Sequence, residues 1–142
     1  MTAVAEMTGA ESVAWNLADL YAGADDPALA RDLDACDARA EAFNGAYRGK
    51  VAMLDAATLL RAVEEYEAIS ELAVKLGSFA QLQWTTNTNE PKYGALLQKL
   101  TERGSKIEQK LIFFMLEWIE VPDDRAAQLI ADPTLAHYRH FL

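Results

Sequence analysis

His137 and His140 are the only imidazoles in the chain, and their three-residue spacing would set two nitrogen ligands on one side of a helix. A catalytic zinc also needs a third protein ligand and a placed base. Nothing near the pair offers both, so two surface histidines close to a helix end is the plainer reading. Glu64, Glu67 and Glu71 recur at three and four residues, a carboxylate row that could hold a metal ion or, more simply, stand in solvent. Lys99, Arg103, Lys106 and Lys110 form a basic stripe that would attract a nucleic-acid backbone or balance acidic helices beside it. Glu117 interrupts an apolar run; burial there would perturb its pKa, and a salt bridge to a basic side chain is the plainer alternative. Cys36 is the single cysteine, which excludes an internal disulfide and a cysteine zinc site and fits a reducing, cytoplasmic setting. The chain has no HExxH, glycine-rich phosphate loop, GxSxG elbow or paired CxxC. No catalytic, metal or cofactor-binding residue is therefore assigned to it.

These residues must be positioned by helices. The 142 residues are 51% hydrophobic and carry a formal net charge of -9, enough apolar material for one core and a charge that repels phosphate backbones and anionic lipid. The expectation is one helical domain over 15–142, no nucleic-acid partner and no membrane, with 1–14 as a disordered lead lacking the basic and apolar regions of a secretory signal. The strongest organising signal is the run Leu111 to Leu116, completed by Trp118 and Ile119. It is too short for a bilayer, and a helix apolar on every side needs neighbours on every side.

Trp15 to Tyr21 mixes large apolar and polar residues in the manner of a short segment clipped onto a larger body. Asp25-Asp26-Pro27 then starts a helix whose Leu29, Leu33, Cys36, Ala40, Phe43 and Tyr47 share one face, with Gly49 as its stop. Asp55 caps a second helix over about 56–84, in which Glu71 and Lys75 form a favourable four-residue pair and Gly77 marks a close crossing or a bend. A short polar link and Pro91 begin a third, antiparallel helix expected to continue to Ile119, about 29 residues or ~43 Å. Pro122 ends it. Asp123 to Ile130 reads as a short helix, and Asp132-Pro133 starts a last one with Leu135, Tyr138, Phe141 and Leu142 on one side. That last apolar face is expected to be an exposed, severed interface prone to self-association. The fold class is all-α: a long antiparallel helical hairpin, a further long helix and short C-terminal helices.

The segments WNLADLY at 15–21, FNGAYRGKV at 43–51, YEAISELAVKLGSFAQL at 66–82, LIFFMLEWIEV at 111–121 and DPTLAHYRHFL at 132–142, taken in order, resemble the N-terminal region of the oligoendopeptidase F family, zinc metallopeptidases related to thimet oligopeptidase. The resemblance spans 15–142 and the early part of a much longer family member. It implies a helical wall around a deep channel in which zinc-activated water cleaves short peptides. The family's HExxH helix and later glutamate would lie downstream, so no catalytic residue transfers to any position here. Implied partners are a missing C-terminal catalytic domain and, in the full-length protein, zinc and short peptides. A free-standing acidic helical interaction module is the alternative, and a small-ligand binder with a pocket between helices is a third class.

Overall fold

The computed structural model describes residues 16–142, and the expected lead at 1–14 and Trp15 lie outside the described residues. Among the described residues the chain is all-α: α1 Pro27–Tyr47, α2 Ala56–Thr86, α3 Pro91–Leu111, α4 Phe113–Ile119 and α5 Asp123–Ala131, with 3-10 turns at Val51–Met53 and Pro133–Tyr138. Helices α1, α2 and α3 pack pairwise as a three-helix bundle, and the C-terminal 3-10 segment lies against α2 and α5.

The helix starts follow from local chemistry. Asp26 accepts the Ala28 and Ala22 N–H groups at 2.8 Å each, and Pro27 takes the first turn of α1. Asp55 accepts the Thr58 N–H at 2.7 Å and opens α2. Asp132 accepts the Thr134 N–H at 2.9 Å ahead of Pro133, although the segment that follows is 3-10 and not α. Gly49 adopts φ +76°, a left-handed turn that a residue with a Cβ rarely takes, just after α1 ends. Between α2 and α3 the link is only Asn87 to Glu90, which forces the two antiparallel. Trp84 accordingly stands opposite Gly94 across the hairpin.

The expected face of α1 is the observed one: Leu29, Leu33, Cys36, Ala40 and Phe43 are buried and Tyr47 is partly so. Phe43 is the hub of the core, with Tyr47, Phe113 and Phe114 at ring distances of 4.9, 5.7 and 5.4 Å. Tyr66 of α2 stacks on Phe114 at 5.6 Å. The Tyr21 ring lies edge-on to Phe79 at 5.1 Å and its hydroxyl donates to Asp32 at 2.9 Å, so residues just before α1 clip onto the bundle as expected.

Four expectations are overturned. The third long helix is interrupted at Ile112, whose N–H still reaches the Glu108 carbonyl at 2.9 Å, so the chain passes from α3 into α4 through one irregular turn. Just after it, the adjacent Phe113 and Phe114 rings both lie against Phe43. Nor is the apolar run enclosed on every side: Leu111, Phe113, Phe114 and Trp118 are buried, but Ile112 and Leu116 are half exposed and Ile119 is 75% exposed. Bundle neighbours cover one side of the run only. Gly77 marks no close crossing, since a Cβ there would meet open space, and α2 continues through it. Finally, the last apolar face is not bare: Leu135 is fully buried, Tyr138 and Leu142 pack on the core, and Phe141 is 44% exposed with its ring beside Tyr66 and Tyr138. The Trp118 indole N–H donates to the Leu142 main-chain oxygen at 2.8 Å and draws that end inward.

Candidate functional site

The basic stripe meets α1. Arg103 donates to Asp34 and Asp37 at 3.1 and 3.2 Å, and Lys110 reaches Asp37 at 2.7 Å and Glu41 at 2.9 Å. The Lys110 ammonium holds the Asp37 carboxyl below its ordinary range, and Asp37 with Glu41 raises the lysine. Lys99 and Lys106, the other two members, remain exposed. Lys75 also turns to α1 and not to Glu71: its Nζ lies 3.7 Å from Asp32 and 4.3 Å over the Tyr21 ring. Burial, followed by the hydrogen bond to Asp32, pushes the Tyr21 hydroxyl well above the ordinary phenol value.

Among the described residues Glu117 is neither buried nor in a salt bridge to a basic side chain. Its carboxylate accepts the Gly49 N–H at 2.7 Å and the Val51 N–H at 3.3 Å, so it ties α4 to the turn that ends α1. A long-range contact of this kind, 68 residues apart for Gly49, leaves no mark in local spacing. Cys36 is buried, its thiol 3.6 Å from the Ile69 carbonyl, and burial pushes that thiol up.

His137 and His140 are both exposed, His137 on the C-terminal 3-10 segment and His140 just beyond it. Among the described residues no group of three or more His, Cys, Asp or Glu side chains lies together as a metal site. The two histidines do line one space with part of the α2 carboxylate row. Glu67 accepts the Tyr138 hydroxyl at 2.6 Å, a bond that pushes the phenol up to about 12 and fastens the C-terminal segment to α2. Glu71 lies one turn further along the same side, whereas Glu64 is simply exposed.

The result is a groove along the outer face of α2. Its floor is Tyr66, Ser70 and Val74, shared by two adjoining spaces of about 410 and 660 Å³. Ile107, Leu111 and Met115 form one wall; Tyr138, His140 and Phe141 form the other. Both spaces fall within the ordinary size range of small-molecule and peptide-fragment sites. Room for the groove comes from small residues. Ser70 and Ala73 on α2 face Gly104 on α3, where an added Cβ would meet nothing. Their spacing was the available sequence signal, since small residues across a helix seam leave space that large ones would fill.

No helix among the described residues is long and apolar enough to cross a membrane. Comparison with protein-family models, curated proteins and solved structures finds no match to this chain.

Proposed function

We propose that this chain is the N-terminal helical part of an oligoendopeptidase F-like zinc metallopeptidase, acting as wall and scaffold for a channel that admits short peptides. The observation that carries the reading is the joining of two segments on which the family resemblance rests. Glu117, in LIFFMLEWIEV, accepts both the Gly49 and the Val51 N–H of FNGAYRGKV. Segments far apart in the chain that resemble one family and also meet through a specific buttress support a shared structural role better than any of them alone. Apolar surface on α4, at Leu116 and Ile119, supports it further, because a scaffold part presents such surface to the rest of its protein.

The residues present do not fit zinc. His137 and His140 are exposed and, among the described residues, no third donor joins them. In this reading the 142 residues contribute shape and surface, and by themselves they cleave nothing. The test is to read the coding frame past the Leu142 codon and assay its whole product on quenched fluorescent peptides of graded length. An HExxH further on, with cleavage of short peptides that a chelator abolishes, supports the proposal. An immediate natural stop, or turnover by this chain alone that survives purification, overturns it. The groove over α2 favours a second reading, a free-standing acidic interaction module, and the same frame decides between them.

A further inference from the structure

The ionic groups of the bundle are sorted by face. Arg103, Lys110 and Lys75 all turn towards α1, where Asp32, Asp34, Asp37 and Glu41 take them up. Among the described residues, the groove over the outer face of α2 has no lysine or arginine in its lining. Its charged members are Glu67, Glu71 and Glu108. Around them the surface is apolar or aromatic: Val74 is 66% exposed, and the Tyr66 and Phe141 rings stand 6.1 Å apart. A carboxylate rim beside a partly exposed apolar and aromatic surface suits a cation attached to an apolar body, through Coulomb attraction at the rim and apolar contact below it.

One occupant fits these features: we propose that this groove binds a short peptide that combines apolar side chains with positive charge. Its length along α2, from Val63 to Val74, is roughly 16 Å at about 1.5 Å per residue, which an extended peptide of about five residues would span. The two adjoining volumes, about 410 and 660 Å³, give such a peptide's side chains room on both sides of Val74. A second copy is a poor occupant, because each copy carries a formal charge of -9 and the two repel one another overall. The first fifteen residues contain Glu6 and Glu11 and no lysine or arginine, so they lack the complementary charge as well. The inference deepens the peptidase reading by naming a class of peptide, and it rests on that reading for the supply of short peptides to the groove.

The test is fluorescence anisotropy of labelled five-residue peptides titrated with the 142-residue chain at low salt. A leucine- and phenylalanine-containing peptide with a lysine at each end is expected to bind, and its counterpart with glutamates in place of lysines to bind at least about tenfold more weakly. Val74→Lys places a cation on the groove floor and is expected to weaken the lysine peptide about tenfold or more; Glu71→Gln is expected to weaken it a few-fold. Both positions are exposed, and far-UV circular dichroism checks that each variant keeps its helices. Equal binding of the two peptides, no binding of either, or an unchanged affinity in Val74→Lys overturns the inference. Cleavage by the whole reading frame separates this from the peptidase reading. Zinc-dependent cleavage with an unchanged KM in Val74→Lys removes the groove and keeps the peptidase, whereas charge-selective binding without any cleavage keeps the groove and removes the peptidase.

Discussion

Phe114→Ala is the substitution that most directly tests how the bundle is held together. The ring is fully buried and sits against Phe43 at 5.4 Å, Tyr66 at 5.6 Å and Phe113 at 6.4 Å, so α1, α2 and α4 all lose a partner when it goes. Removing a buried phenylalanine forfeits about 1.5 to 3 kcal/mol of transfer free energy. Each aromatic pair adds roughly 0.5 to 1.5 kcal/mol beyond area, and the neighbours relax only partly into the space left. A loss of about 3 to 5 kcal/mol is therefore expected, a large share of the stability of a domain of this size. The control lies five residues away on the same apolar run: Ile119 is 75% exposed, so Ile119→Ala should change stability by less than about 0.5 kcal/mol. Urea titrations of both variants, followed by circular dichroism at constant m-value, measure the difference. A cost below about 1 kcal/mol for Phe114→Ala, or comparable costs for the two, would refute the assignment of core and surface along this run.

Further outcomes follow from the same geometry. Stability should decline below about pH 4: Asp26 and Asp132 accept main-chain N–H groups, Asp55 accepts from the Thr58 hydroxyl and N–H, and Asp37 accepts from Lys110, which holds all four carboxyls below their unfolded value of about 3.9. The sign is that of depressed carboxyls, with stabilisation complete above the unfolded value and lost as pH falls through the folded ones; Asp55→Asn should flatten the acid limb, and an identical limb would contradict its capping role. Glu117→Ala removes the acceptor for Gly49 and Val51 and should cost about 1 kcal/mol or more in thermal or urea unfolding, with Glu117→Gln recovering part of it. A hydrophobic dye should bind the α4 surface, and replacing Leu116 and Ile119 together by lysine should abolish most of the signal; unchanged fluorescence would show that the stripe is not the binding surface. Metal analysis after dialysis should find less than stoichiometric zinc, and one tightly held zinc lost on His137→Ala with His140→Ala would reverse the reading of that pair.

Helix starts were legible because their causes are local. An aspartate followed by proline, or an aspartate before an apolar-periodic stretch, acts within three residues, and Asp26, Asp55 and Asp132 all behave that way. The face of α1 was legible too, since its period of three and four residues leads to a single ring, Phe43, that must be covered. The apolar run at 111–119 misled for the opposite reason. Hydrophobicity on every side states what a helix would tolerate, while the number of neighbours present decides what is covered, and here they reach only the Phe114 and Trp118 side. Charge partners were partly legible: the basic stripe does balance acidic residues, but Lys75 had Glu71 within its own helix and α1 offered Asp32, with the Tyr21 ring face beside it. The groove was the least legible feature. It arises from Ser70, Ala73 and Gly104 being small at one crossing and from a hydrogen bond between Tyr138 and Glu67, 71 residues apart.

The position of Cys36 gives the bundle a built-in clock. Its thiol is sealed between α1 and α2 against the Ile69 carbonyl, with burial pushing its pKa up and so keeping it in the unreactive protonated form. A thiol reagent can reach it only after α1 separates from the hairpin. When reclosure outruns the reagent, the labelling rate reports the free energy of that separation; when the reagent outruns reclosure, it reports the rate of opening itself. One native sulfur atom thus allows the parting of the first helix from the other two to be timed without adding a probe, and allows it to be compared with the melting of the whole chain.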